Sequence, residues 1–345
     1  RLNALDLQRW ADILGVPLTF PDHHPRRTVE TMRLLTGTAP EDRPALSHHL
    51  YRAYWQDGFD LANREVLASV ARAAGADPAL IDCPTARQGL FDATAEAVAH
   101  GAFGVPAMVL DGTLWWGQDR LHFVEAALGG TWPGLPGTVS TMGGRVRFYH
   151  DFASPFSYLA ATQIERVCAA YGAELEWCPI LLGGLFRSIG TADVPLFEMS
   201  DAKRTYITRD LTDWANWWGE SFAFPSHFPM RTVSALRVAI VEPSLTMPLY
   251  RAAWAEDRPI DHPEVLGALI ERHGFDAKDV LAQTQSDAVK ATLRRNTERA
   301  QAVGACGVPT FEVMTDEAAK PLLLWGQDRI PMLERALQGW SPSCG

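Results

Sequence analysis

With 345 residues, 47% of them hydrophobic and 21% charged, the chain has the composition of a globular protein long enough for two domains of ordinary size. A formal charge of -10 excludes the basic surface that phosphate neutralisation requires, so no nucleic-acid partner is expected. No apolar run reaches the roughly 18 residues of a spanning helix, no export signal stands at the start, and the five cysteines form no C-x-x-C pair, so a cytoplasmic protein with no metal site and no disulfide framework is expected.

In chain order, LNALDLQRWADIL reads as a helix that begins immediately after Arg1. The stretch GGTWPGLPGTVSTMGGR, rich in Gly, Pro, Ser and Thr, reads as a linker. VRFYHDF is a β-forming aromatic run, SPFSYLAATQIERVCAAYG carries apolar residues at helical spacing, and ELEWCPILL reads as a second strand. From about Pro195 to Gly304 the pattern is helical. Two short strands are expected between Gly307 and Leu324, joined by a turn over Thr315 to Lys320, and IPMLERALQGW closes the chain as a helix.

Four blocks recur in the same order about 200 residues apart. Trp10-Ala11, Phe20-Pro21, His23, Pro25 and Arg27-Thr28-Val29 match Trp214-Ala215, Phe224-Pro225, His227, Pro229 and Arg231-Thr232-Val233. Leu50-Tyr51-Arg52-Ala53 and Trp55 match Leu249-Tyr250-Arg251-Ala252 and Trp254. Gly104-Val105-Pro106 matches Gly307-Val308-Pro309, and Trp116-Gly117-Gln118-Asp119-Arg120 matches Trp325-Gly326-Gln327-Asp328-Arg329. The chain therefore divides into an incomplete repeat over 1–130, a linker over 131–145 and a complete domain over 146–340. The complete domain runs β-α-β, helical insertion, β-β-α, the order of a thioredoxin-like α/β fold split by inserted helices. The first copy has only the insertion and the β-β-α end, and an upstream segment of about 60 residues is expected to supply its β-α-β part.

Chemistry concentrates where Asp151-Phe152-Ala153-Ser154-Pro155-Phe156-Ser157 leaves the first strand and opens a helix. The unpaired N–H groups of a first helical turn stabilise an anion, which in dithiol oxidoreductases is the protein's own thiolate. Ser154 and Ser157 form no disulfide, so redox exchange by this motif is excluded. A serine hydroxyl can instead donate to a thiolate brought in by a cofactor, although Ser154 followed by Pro155 also reads as an ordinary helix cap. Gly307-Val308-Pro309-Thr310 stands where a thioredoxin-like architecture places a cis-proline loop, whose backbone pairs with a peptide-like ligand. Trp325-Gly326-Gln327-Asp328-Arg329 sits at a strand-to-helix junction suited to amino and carboxylate groups. Cys178 and Cys306 read as core fillers. The adjacent pairs His23-His24 and His48-His49 diverge in regular structure, so they do not read as metal ligands.

On these motifs, and on AKRTYITRDLTDWA, the chain resembles the 2-hydroxychromene-2-carboxylate isomerase and kappa-class glutathione transferase family of DsbA-like proteins, in tandem copies. The resemblance implies glutathione as cofactor, Ser154 as the residue that activates its sulfur, and Lys203, Val308, Pro309, Gln327 and Asp328 as its contacts. It implies a glutathione-dependent cis-trans isomerisation of an aromatic-pyruvate or chromene-carboxylate substrate, with His227, Phe228 and Trp325 at the substrate pocket. The chain departs from the family pattern at Ile189-Gly190-Thr191 and at His227-Phe228, both of which bear on substrate recognition. Conjugation by a kappa-like transferase and a non-catalytic scaffold are the alternatives. Because such enzymes pair as dimers, the two repeats are expected to form a pseudo-dimer within one chain, and the first repeat is assigned no catalysis.

Overall fold

The computed structural model describes residues 2–136, 143–192, 194–315 and 320–342. Its contacts divide the chain into two compact units, with main spans 1–130 and 131–341. Part of the expected linker and most of the expected turn between Thr315 and Lys320 lie outside the described residues.

The first unit is α1 (Leu2–Leu14), α2 (Val29–Gly37), α3 (Arg43–Trp55), α4 (Arg64–Ala73), α5 (Pro84–Ala99), β1 (Ala107–Leu110), β2 (Thr113–Trp116) and α6 (Leu121–Ala127). Its core is Leu34, Leu46, Leu50, Leu67, Ala71 and Ile81, the inward faces of α2, α3 and α4 and of the turn before α5. Asn63 starts α4 by accepting the Glu65 and Val66 N–H groups, which satisfies two donors that helix geometry leaves open. β1 and β2 form a two-stranded antiparallel hairpin.

The second unit begins with β3 (Gly144–His150), α7 (Pro155–Ala170), β4 (Ala173–Pro179) and α8 (Leu182–Ile189). Its inserted helices are α9 (Asp201–Trp217), α10 (Val233–Val241), α11 (Thr246–Trp254), α12 (Pro263–Arg272), α13 (Ala277–Gln283) and α14 (Asp287–Ala302). β5 (Thr310–Met314), β6 (Leu322–Trp325) and α15 (Ile330–Leu337) complete it. The sheet order is β4-β3-β5-β6, with β3 parallel to β4 and antiparallel to β5. Two details differ from the sequence reading. Strand β3 starts at Gly144, inside the expected linker, because Arg145 pairs in register with Glu174 and its guanidinium meets that carboxylate at 3.0 Å. The expected second strand stops at Pro179, and its apolar continuation becomes α8, whose apolar residues Leu185 and Phe186 are buried.

Alternation along β3 fixes the two faces of the sheet. Phe148 stacks on Phe311 of the neighbouring strand with ring centroids 5.4 Å apart, and α7 and α15 pack on each other and on the sheet. Tyr149 points the other way, into a cluster with Cys178, Ile180, Leu185 and Ala300, which belongs to α8 and α14. On that face the Tyr149 hydroxyl donates to the buried Glu312 carboxylate at 2.6 Å, and Arg147 bridges Glu176 and Glu312. No helix among the described residues is long and apolar enough to cross a membrane.

Phe311 is fully buried at the centre of this sheet. Phe311→Ala is expected to cost about 3–5 kcal/mol, the usual cost of emptying an aromatic core position. Urea unfolding followed by tryptophan fluorescence measures it.

Candidate functional site

The site is built where the C-terminal end of β3 and the N-terminal end of β5 lie side by side, Tyr149 opposite Thr310. Ser154 caps α7 in an extended conformation, its hydroxyl oxygen accepting the Ser157 N–H at 3.2 Å. The same hydroxyl donates to the Val308 carbonyl at 3.2 Å, and the Val308–Pro309 bond is cis. Ser154 is thus a helix cap, as one reading of the sequence had it, and it also faces the cis-proline loop. Both Ser154 and Val308 are buried.

The turn after β6 joins this arrangement through its backbone. The Gly326 N–H donates to the Pro309 carbonyl at 3.0 Å, and the turn Gln327–Arg329 packs against α7. Gln327 is 1% exposed, and among the described residues neither its amide oxygen nor its amide nitrogen has a hydrogen-bond partner, an expensive state for a buried polar group. Asp328 pairs with Arg329 at 3.1 Å. Trp325 lies across Gly307: a Cβ at that glycine would stand 2.9 Å from the indole nitrogen, so a side chain there would displace the ring. Ser154, Val308, Pro309, Trp325, Gln327 and Asp328 therefore belong to one constellation.

The other expected residues lie in the insertion. Lys203 is in the first turn of α9, half-buried. Phe228 precedes a second cis-proline, Pro229, and its ring joins those of Phe224, Phe197 and Trp254. His227 meets Asp257 at 3.4 Å, and Asp257 also accepts the Ser226 N–H at 2.8 Å. The Trp254 indole donates to the Phe152 carbonyl at 2.8 Å, which ties the Phe228 cluster to the turn leading into Ser154.

Sequence reasoning missed the polar groups beneath the serine turn. Asp151 is buried and accepts three hydrogen bonds, from Ala153 N–H at 3.0 Å, Leu182 N–H at 2.8 Å and the Thr232 hydroxyl at 2.6 Å. Burial pushes its carboxyl up to about 6, against the pull of these donors. His150, also fully buried, meets the Tyr250 hydroxyl at 3.0 Å, and burial holds its ring down to about 3, so it is neutral at pH 7. In the sequence, Asp151 stood at the head of the serine motif and Thr232 and Tyr250 inside repeated blocks, with nothing to show that they meet.

Asp151 makes a prediction whose sign is set by its raised acid range. Below about pH 4 the carboxyl is protonated in both the folded and unfolded chain; between about 4 and 6 the folded form keeps the proton longer, so stability falls as pH rises through that window and is level above it. Asp151→Asn removes this contribution. The stability of the variant relative to wild type is therefore expected to rise as pH goes from about 4 to 6 and to be level above that window, read by urea unfolding at a series of pH values.

The described geometry is that of a helix N-terminus against a cis-proline loop, and comparisons with known proteins place it. A family model described as a DSBA-like thioredoxin domain matches residues 3–129 and again 145–338. A 2-hydroxychromene-2-carboxylate isomerase of Pseudomonas sp. (strain C18) is 33% identical over 130 residues, 36% of this chain; the match spans 61% of the isomerase's own length. Glutathione s-transferase kappa 2 of Caenorhabditis elegans is 27% identical over 203 residues, 54% of this chain and 89% of the transferase. A solved 2-hydroxychromene-2-carboxylate isomerase aligns with a TM-score of 0.49 at 28% identity, over 56% of this chain and 94% of that one. With two matched segments that together cover most of its length, the chain belongs to the DsbA-like thioredoxin domain family, in tandem copies.

Proposed function

We propose that the second unit is a glutathione-dependent isomerase of a chromene-carboxylate or aromatic-pyruvate type substrate, with Ser154 as its catalytic hydroxyl. The observation that carries this reading is the Ser154 hydroxyl resting on the Val308 carbonyl at the start of α7. The fit to glutathione rests on groups that lack or share their partners. Among the described residues, the Val308 carbonyl is met by a hydroxyl that can turn away, and the buried Gln327 amide has no hydrogen-bond partner.

Glutathione supplies, when bound, a thiol that adds reversibly to a conjugated acceptor. The chain's part is to hold and ionise it. Val308 presents its carbonyl to a peptide N–H, in the manner of strand addition. Once that carbonyl is occupied, the Ser154 hydroxyl is released to donate to a sulfur anion, and the N–H groups of the first turn of α7 favour the same charge. Gln327 and Asp328 hold the amino and carboxylate end, Lys203 contributes positive charge, and Trp325, His227 and Phe228 line the side where an aromatic substrate lies. Motif-borne redox exchange has no place in this reading, because Ser154 and Ser157 stand where a dithiol pair would have to be.

The second reading is conjugation by the same serine site. It is favoured by the greater share of the kappa 2 transferase that the match covers, 89% against 61% of the isomerase.

Titration calorimetry with glutathione is expected to show binding, and Ser154→Ala is expected to lower kcat/KM for 2-hydroxychromene-2-carboxylate by about 10- to 100-fold, the worth of one hydrogen bond to a charged sulfur. Turnover of chloro-dinitrobenzene without isomerisation would transfer the assignment to conjugation. No heat at millimolar glutathione would remove both.

A further inference from the structure

Asp151 does work at the site that neither the serine hydroxyl nor the bound thiol accounts for. Its three donors come from three separate segments: Ala153 from the turn between β3 and α7, Leu182 from the start of α8, and Thr232 from the N-cap of α10. Thr232 follows the cis-proline Pro229 by three residues, so the third bond anchors the segment that carries His227 and Phe228. Among the described residues no cation pairs with this carboxylate; the Tyr250 hydroxyl of α11 lies close enough to feel its charge, and the adjacent His150 is kept neutral by burial. A buried carboxylate without a counter-ion is costly, and nothing in the packing of the sheet requires one. A carboxylate, with two acceptor oxygens and no hydrogens, accepts all three at once.

We propose that Asp151 is the positioning residue of the serine site, its carboxylate fixing the Ser154 turn against the start of α8 and against the loop that bears His227 and Phe228. The proposal rests on the glutathione reading for its functional consequence and on geometry alone for its structural one. Asn is the informative replacement because it keeps the volume of Asp and turns one acceptor into a donor, which cannot take the Leu182 N–H.

The test compares wild type with Asp151→Asn in two ways. Amide hydrogen exchange at Ala153 and Leu182 is expected to quicken about tenfold or more in the variant, while exchange in β3 and β5 stays slow, because the fold survives and only the junction loosens. Glutathione affinity is expected to fall about tenfold. A variant with unchanged exchange at both amides and unchanged affinity overturns the proposal and leaves the serine site standing. If wild type itself binds no glutathione, the functional reading fails, and the exchange comparison still decides whether Asp151 holds the junction. Should Asp151→Asn fail to fold, Thr232→Val replaces it. Loss of affinity in that variant with recovery in Thr232→Ser, which restores only the hydroxyl, supports the proposal, and equal affinity in both overturns it.

Discussion

The hydrogen bond from the Ser154 hydroxyl to the Val308 carbonyl joins residues 154 positions apart, and the second unit is organised around the place where it forms. β3 and β5 run antiparallel with Tyr149 opposite Thr310, so the end of one strand and the beginning of the other emerge at the same edge of the sheet. A helix start and a loop carried on those two ends must then face each other. The third element of the site, the turn after β6, follows from the same pairing: Thr310 lies opposite Trp325, which brings Gly326 to the Pro309 carbonyl. Sheet register is therefore what makes the site, and the stacked Phe148 and Phe311 in the middle of those strands are what hold the register.

The tandem copies separate what belongs to the motif from what belongs to the site. In both units a tryptophan indole lies across the glycine that precedes the cis-proline, Trp116 on Gly104 and Trp325 on Gly307. In both, the glycine of the following turn donates to the proline carbonyl at 3.0 Å. Yet Val105 is 89% exposed where Val308 is 6% exposed, and Gln118 is exposed where Gln327 is buried. Tyr51 is 65% exposed, whereas its counterpart Tyr250 is buried against His150. The loop and turn geometry is thus local to the β-β-α end. Burial of the same residues, and with it any use for an unpaired amide, comes from β3, α7 and β4 packing over them.

Local order was legible in the sequence because each signal was itself local. The Ser-Pro start of α7 and the Gly-Val-Pro loop each sit within a few residues, and so does each block of the repeat, although its two copies stand about 200 residues apart. Helix α8 was not foreseen because an apolar run after a strand carries no sign of where the strand stops; the stop is set by Leu182 bonding back to Asp151, 31 residues earlier. Asp151 escaped notice for the same reason. Its partners lie up to 81 residues away, and an aspartate at the end of a strand looks like any turn residue until three segments converge on it.

On the proposed reading, Ser154 and Asp151 act in opposite electrostatic directions at the start of α7. A neutral hydroxyl at the cap leaves the positive end of α7 uncompensated and open to an anion from outside, whereas a protein thiolate at that position would neutralise it. A buried carboxylate three residues upstream works against such an anion. Its charge, however, is spread over three donors, which pull against the effect of burial on its proton affinity. On the proposed reading, the three donors that fix the carboxylate also spread its charge, which limits what it costs an anion held at the start of α7.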